Sequence, residues 1–157
     1  MPKRVYLETT IMSYLTARPG RDLIRAARQE VTRLWWDERS PDFDLYISQF
    51  VLDEAGEGDE DAARRRLLLL EELPLLETTE QVVALGQAFV QQDIMPQRAA
   101  TDALHVAVAT VHGMDVLLTW NCRHLANAEL LGDIARLIRS KGYEPPVICT
   151  PDELMGE

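Results

Sequence analysis

The most informative run in the sequence is Ala99-Ala100-Thr101-Asp102-Ala103-Leu104-His105-Val106-Ala107-Val108-Ala109. It is apolar on nearly all sides, which predicts a buried helix over residues 99–112 that ends at Gly113. One carboxylate, Asp102, lies in the first turn, where the helix dipole partly stabilises its charge. Asp102 either caps the helix or faces a partner, because an unpaired buried carboxylate is costly.

Outward from this helix, strand-like and helix-like segments alternate along the chain. Segments rich in β-formers predict strands over residues 5–7, 44–48, 75–76, 116–118 and 147–149. Helices are expected over residues 21–37, from 51 to a glycine at 56 or 58, and over 60–73, 78–91, 99–112 and 127–140. The alternation predicts one α/β domain over residues 1–157, with a mostly parallel central sheet of four or five strands between helices on both faces.

The expected helix over residues 21–37 has an apolar face. The positions that form it are Leu23, Ile24, Ala27, Val31, Leu34 and Trp35. The tryptophans of the chain are expected to lie mostly in the core.

Polar residues follow several of the predicted strands at their carboxyl ends, where open parallel sheets bind ligands. Glu8 directly follows the first strand, Glu54 lies a few residues beyond the second, and Asn121 lies three residues beyond the strand at 116–118. Together with Asp102 they predict an acidic site for a divalent metal ion, because oxygen atoms are the ligands that Mg²⁺ prefers.

Each of these residues has an ordinary alternative when taken alone. Glu8 is then a surface residue after a strand, and Asn121 is a turn residue. The assignment of Glu54 is open by one position, because Asp53 precedes it. The prediction depends on all four residues meeting at one end of one sheet.

Charge and motif content exclude several classes of protein. The formal net charge of -10 argues against nucleic-acid binding by net charge alone, although it leaves room for a local basic patch. There is no GxxxxGK loop and no GxSxG elbow, so triphosphate hydrolysis and serine-based hydrolysis are not expected. Two cysteines without CxxC spacing do not predict a zinc site. Without an apolar run of about 20 residues, we expect a soluble, cytoplasmic protein with no membrane partner.

Four segments resemble the PIN-domain family, specifically the VapC-type toxins of type II toxin–antitoxin systems. They are Tyr6-Leu7-Glu8-Thr9-Thr10, Ser48-Gln49-Phe50-Val51-Leu52-Asp53-Glu54, Thr101-Asp102-Ala103-Leu104-His105-Val106-Ala107 and Leu117-Leu118-Thr119-Trp120-Asn121. The resemblance implies a PIN-like three-layer α/β/α fold and a Mg²⁺- or Mn²⁺-dependent ribonuclease. It also implies an RNA substrate, a cognate antitoxin and a homodimer.

By position, Glu54 and Asp102 match the second and third acids of the family, and Thr119 matches a hydroxyl residue near the metals. The sequence departs from the family at two positions. Glu8 stands where the family usually has its first Asp, and Asn121 stands where a further Asp is usual. Glu8 changes the reach of a ligand and Asn121 removes a charge, so we expect weaker binding of a second metal.

The mechanism expected from these residues is metal-assisted hydrolysis of an RNA phosphodiester. Glu8, Glu54, Asp102 and Asn121 are the expected catalytic and metal-binding residues. Thr9, Thr10 and Thr119 are expected to orient the ligands or waters. The arginines expected to meet RNA phosphates are Arg25, Arg28, Arg98 and Arg123.

The arginines at 18, 21, 25 and 28 form one stripe if the helix begins early; the alternative is a solvated helix face. His105, one turn after Asp102, either tunes the metal ligands or is a hydrogen-bonded core residue. An inactive PIN-like module that acts through protein binding is the main alternative function. A metal-dependent phosphatase is disfavoured, because no DxD spacing follows the first strand.

Overall fold

The computed structural model of the protein describes residues 1–156 and contains a five-stranded sheet. Its strands are β1 (Arg4–Leu7), β2 (Asp44–Ser48), β3 (Leu75–Leu76), β4 (Val116–Leu118) and β5 (Val147–Cys149). All neighbouring strands are parallel, in the order β3-β2-β1-β4-β5. The predicted α/β fold with a parallel sheet is therefore confirmed, and the short segment at 75–76 is its fifth strand.

The α-helices that flank the sheet are α1 (Thr9–Thr16), α2 (Leu23–Leu34), α3 (Gln49–Ala55), α4 (Glu60–Leu70), α5 (Glu80–Gln91), α6 (Ala100–Val111) and α7 (Ala128–Ser140). The first was not predicted from the sequence. Its threonines and isoleucine are β-branched and favour a strand over a helix, and its start signal is unusual, since Glu8 is the N-cap and accepts a hydrogen bond from the backbone N–H of Thr10. β1 therefore leads directly into a helix through Glu8. None of the helices within residues 1–156 is long and apolar enough to cross a membrane.

The core is built around β1, β4 and α6. Every side chain of β4, and all of β1 except Arg4, is buried, as expected for central parallel strands covered on both faces. In α6 the residues from Val106 to Thr110 are all buried, which confirms the predicted buried helix. It packs against α5, where an added Cβ at Gly86 would lie 2.8 Å from the Leu104 side chain. Gly113, with φ of +69°, follows the end of α6.

The second helix differs from expectation in its orientation. Leu23 and Ile24 are 85% and 68% exposed, so the apolar face predicted for this segment points outward over its first turn. Its buried positions include the polar residues Gln29 and Thr32. Gln29 donates to the backbone oxygen of Arg18 at 3.1 Å, and Thr32 accepts from the Trp120 indole at 2.7 Å, so both buried polar groups are hydrogen-bonded.

The position at which α2 begins determines whether the arginines at 18, 21, 25 and 28 share one helix face. Asp22 caps the helix by accepting hydrogen bonds from the backbone N–H groups of Ile24 and Arg25. Arg18 and Arg21 therefore lie before the helix, and the four arginines do not form one helical stripe. After Leu34 the chain continues as a turn of π-helix over Trp35–Arg39.

Candidate metal centre

The order of the strands places a crevice at the carboxyl ends of β1 and β4. From β1 the chain builds the sheet first in one direction, through β2 and β3, and then in the other, through β4 and β5. Ligands bind at such a reversal point, because the connections leave on opposite sides of the sheet. Glu8 follows β1 and Thr119 follows β4, so both lie at this crevice.

Glu8 is almost completely buried, with 3% of its surface exposed. Its Oε1 atom accepts hydrogen bonds from the hydroxyl groups of Thr10 at 2.5 Å and Thr119 at 2.6 Å. The backbone N–H of Thr10 donates to the same oxygen at 3.2 Å. Three donors therefore fix one oxygen of Glu8.

Glu54, on α3, is held in the same manner. Its Oε1 atom accepts a hydrogen bond from the Thr9 hydroxyl at 2.7 Å and lies 2.6 Å from Nε2 of His105. The neighbouring Asp53 is exposed and bonds to Gln49 at 2.9 Å. The structure therefore turns Glu54, and not Asp53, toward the crevice.

Asp102 lies on the first turn of α6, and its side chain is 19% exposed. Its Oδ2 atom is 3.1 Å from Nδ1 of His124, a residue of the loop after β4. Ligand atoms of Glu8, Glu54 and His105 lie within 4.8 Å of one another, and Asp102 is outside this group. The structure therefore brings Glu8 and Glu54 together most closely, with Asp102 one helical turn before His105.

Asn121 has a different set of contacts. Its Oδ1 atom accepts hydrogen bonds from the backbone N–H groups of Arg123 at 3.2 Å and His124 at 3.0 Å. Its own N–H donates to the Thr119 hydroxyl at 2.9 Å. The side chain thus forms the turn that carries His124 toward Asp102, and a ligand role for Asn121 stays a prediction.

Glu8, Glu54 and Asp102 share one property: each is held by the protein through a single oxygen. Among residues 1–156 no protein donor reaches the second oxygen of any of these three carboxylates. In the same part of the chain no lysine or arginine forms an ion pair with them. Oxygen atoms that are fixed in place and lack a cation suit a hard divalent ion, so the donor set fits Mg²⁺ or Mn²⁺.

The electrostatics of the two glutamates differ. Burial raises the pKa of Glu8 and the charge of Glu54 adds to this; His105 and the hydroxyls of Thr10 and Thr119 oppose the rise without cancelling it. Burial also works to raise the pKa of Glu54, but the hydrogen bond and charge of His105, together with Thr9, outweigh it and lower that pKa. Glu54 is thus the better stabilised anion, and Glu8 gains more from an added cation.

The four arginines expected near RNA lie in different surroundings. Arg25, Arg98 and Arg123 are exposed, whereas Arg28 is half-buried. The Arg28 guanidinium carbon lies 5.1 Å from the centre of the Trp120 ring, a cation–π contact that fixes a positive charge beside the β4 loop. Arg28 is therefore the arginine of this set with an observed link to the crevice.

From the sequence alone, His105 is either a metal-site residue or a core residue, and nothing marks Tyr6 or His124 as parts of the site. Tyr6 lies two residues before Glu8 on β1, and its hydroxyl lies 2.6 Å from Nδ1 of His105. The signal in the sequence was spacing: His105 follows Asp102 by one turn, and His124 follows Asn121 by three residues. Neither spacing alone separates a site residue from a core or loop residue.

Comparison with known proteins identifies the family. The sequence profile described as PIN domain matches residues 5–129, which is more than half of the chain. The chain belongs to the PIN-domain family. No curated protein sequence matches it.

Solved structures that share the fold of this PIN domain include two VapBC complexes. One is VapBC-1 from nontypeable Haemophilus influenzae, with a TM-score of 0.56, 18% sequence identity, and coverage of 83% of this chain and 93% of the other. Another is VapBC2 from Rickettsia felis bound to a DNA fragment from their promoter, with a TM-score of 0.52, 14% identity, and coverage of 94% and 98%. At these identities the likeness supports the predicted PIN-like α/β fold.

Because Glu8 is buried, we expect the thermal stability of the protein to depend on pH in a way that the Glu8→Gln variant changes. Glu8→Gln keeps an oxygen that accepts from Thr10 and Thr119 and removes the charge. Because the folded-state pKa of Glu8 is raised, its stabilising contribution is present at low pH and is lost as the pH rises through that pKa. In EDTA, E8Q should therefore melt above wild type at about pH 7–8, and the difference should shrink towards about pH 4, near the ordinary glutamate pKa.

Thermal unfolding followed by circular dichroism at several pH values measures this difference. The control is Glu71→Gln, an exposed glutamate at the end of α4, which should show no such pH-dependent gap. A wild type that is more stable than E8Q across the whole pH range would contradict the assignment of Glu8 as a destabilised anion.

Proposed function

We propose that this PIN domain is a metal-dependent endoribonuclease that hydrolyses RNA phosphodiester bonds and is the toxin of a toxin–antitoxin pair. The observation that carries the proposal is the set of three carboxylates, each fixed through one oxygen and each without a lysine or arginine partner among residues 1–156. Membership of the PIN family and the fold shared with the VapBC structures support the same function.

In the proposed site, Glu8, Glu54 and Asp102 would hold the ion, and each has a second oxygen that no protein donor among residues 1–156 reaches. When bound there, Mg²⁺ or Mn²⁺ would lower the pKa of a water and offset the charge on the phosphate. Thr9, Thr10 and Thr119 keep the two glutamates in place, and His124 does the same for Asp102. Asn121 is proposed to act mainly by holding the turn with His124, and as a ligand only weakly or through water.

Cleavage of a 5′-labelled single-stranded RNA with Mg²⁺ or Mn²⁺ tests the activity. Glu54→Gln and Asp102→Asn should lower the rate by about 100-fold or more, since even partners of metal ligands cost 10–100-fold when removed. Asp53→Asn, next to Glu54 but turned to solvent, is the matched control and should cleave like wild type. EDTA should abolish cleavage.

Equal cleavage by wild type and D102N would rule out the proposed mechanism. Wild type that binds neither RNA nor Mn²⁺, yet still associates with a partner protein, would support the alternative of an inactive PIN-like module. Mn²⁺ binding that is lost in Glu8→Gln and Asp102→Asn separates the two functions, because a binding module needs no metal at these residues.

RNA reaches this acidic protein, in our proposal, through arginines near the crevice. Arg28 is held against Trp120, and Arg25 lies one turn earlier on the same helix. Together with the exposed Arg98 and Arg123 they are proposed to bind phosphates. Phosphate binding of this kind makes RNA affinity fall with added salt.

Charge reversal at Arg25 and Arg28 should weaken RNA binding and flatten its salt dependence. For single strands the slope of log K against log salt should drop by about 0.7 for each phosphate that the protein no longer neutralises. The control pair, Arg64→Glu with Arg139→Glu, changes net charge equally at exposed positions on α4 and α7. Fluorescence anisotropy at several salt concentrations gives the slopes, and equal slopes for the two double variants would contradict an RNA role for Arg25 and Arg28.

The exposed side of α2, formed by Leu23, Ile24, Ala27 and Leu34, is proposed to bind the antitoxin. Its two largest side chains at the start of the helix are among the most exposed apolar residues of the described chain. Such patches mark interaction sites. Residues 18–33 carry five arginines against two acidic residues, although the whole chain has a net charge of -10. An acidic segment with apolar side chains fits this surface, whereas a second copy would bring its own arginines against it.

Leu23→Ser with Ile24→Ser should weaken the complex with the proposed cognate antitoxin, to be sought as the product of a small reading frame adjacent to the gene. The dissociation constant should rise by about 30-fold if each residue contributes about 1 kcal/mol. Leu75→Ser with Val147→Ser removes two exposed apolar residues of the outermost strands and is the control. An unchanged affinity in the α2 variant would contradict this surface. Sedimentation of the chain alone tests the proposed homodimer and shows whether α2 contributes to it.

A further inference from the structure

His105 is the one residue of the closely spaced Glu8–Glu54–His105 group that is completely buried. Both of its ring nitrogens are engaged. Nε2 lies 2.6 Å from Oε1 of Glu54, and Nδ1 lies 2.6 Å from the hydroxyl of Tyr6. Because an ionised carboxylate only accepts hydrogen bonds, Nε2 carries the proton and donates to Glu54.

The hydrogen bonds continue beyond His105 into the sheet. The Tyr6 hydroxyl, at the centre of β1, lies 2.7 Å from the hydroxyl of Ser48, the last residue of β2. The Tyr6 hydroxyl therefore links the Ser48 hydroxyl to Nδ1 of His105, and Nε2 donates to Glu54, so that Ser48, Tyr6, His105 and Glu54 form one continuous chain of hydrogen bonds. Tyr6, Ser48 and His105 have no exposed surface, so the chain of bonds is shielded from competing water.

Aromatic neighbours also fix the plane of the ring. Phe50 meets it edge-on, with the ring centres 6.2 Å apart and the planes at 82°. The Tyr6 ring centre lies 5.8 Å away and is tilted by 52°. Rotating the imidazole to aim Nε2 elsewhere would break both of its hydrogen bonds in a close-packed interior.

We propose that His105 is a positioning residue and not a metal ligand: with Tyr6 and Ser48 behind it, the imidazole fixes Oε1 of Glu54 so that the second carboxylate oxygen faces the ion. Thr9, in the first turn of α1, donates to the same Oε1. This role rests on the proposed metal-dependent function. In this proposal α6 contributes two residues to the site: Asp102 in its first turn, and His105, which holds Glu54, one turn later.

Mn²⁺ affinity, measured by isothermal titration calorimetry, tests the assignment without relying on activity. His105→Leu removes the donor at similar volume and should weaken binding by about 10–100-fold, as is typical when a partner of a metal ligand is removed. His105→Gln places an amide N–H at the same reach as Nε2 and should restore most of the affinity. Tyr6→Phe should give a smaller loss, because His105 stays but loses its own support.

His112→Leu is the matched control, since His112 caps the far end of the same helix and its Nε2 bonds to the backbone oxygen of Glu77. It should bind Mn²⁺ like wild type even if it melts at a lower temperature. Wild-type affinity in H105L would overturn the positioning role alone, and so would an equal loss in H105Q and H105L, which would mark the imidazole itself as a ligand. If H105L does not fold, unchanged affinity in Y6F overturns the role. Wild type that binds no Mn²⁺ would overturn the proposed function together with this role.

Discussion

The structure depends on how Glu8 and Glu54 are held close together, with Asp102 one helical turn before their neighbour His105, and without a lysine or arginine among residues 1–156 paired with any of the three. Glu8, Glu54 and Asp102 come from a strand end, a short helix and the start of a buried helix. Each is tied by hydroxyl, amide or imidazole donors to one oxygen only. The charges of Glu8 and Glu54 repel, and the pKa of Glu8, raised by burial and by Glu54, reflects the cost of keeping the two glutamates together. A divalent cation bound to the remaining oxygens would offset that cost.

The fold supplies this arrangement through its connections. Glu8 ends β1 and at the same time caps α1, so the residue that begins the helix is also a site residue. The hydroxyls of Thr9 and Thr10, in the first turn of α1, then reach Glu54 and Glu8 respectively. Thr119 closes the crevice from β4. The glutamate at position 8 is one methylene longer than the aspartate that is usual in the family. This length lets its carboxylate reach both the first turn of α1 and the end of β4.

The sheet could be predicted well from the sequence, because its strands are short apolar runs with clear breaks between them; residues 44–48, 116–118 and 147–149 are strands as expected. The prediction failed at α1, where β-branched residues and a glutamate cap give no ordinary helix signal. The sequence also did not show whether the apolar face of α2 points into the core or to solvent. Periodicity identifies an apolar face, but not whether the same chain covers it. Glu8, Glu54 and Asp102 were recognisable as candidate site residues from position along the strands. Thr9, Thr10 and Thr119 were recognisable as residues beside these carboxylates, and each donates to one of the two glutamates. The parts played by His105, Tyr6 and His124 could not be read from the sequence, because contacts such as that between His105 and Glu54 join residues 51 positions apart.

Anomalous diffraction from crystals soaked in Mn²⁺ tests the central claim most directly. We predict a peak bounded by the second oxygens of Glu8 and Glu54 and by the free oxygen of Asp102, with His105 still bonded to Glu54 and Tyr6. The peak should vanish in crystals of the Glu54→Gln variant. A peak ligated by the His105 ring, or Mn²⁺ bound elsewhere while these three carboxylates remain free, would contradict the claim.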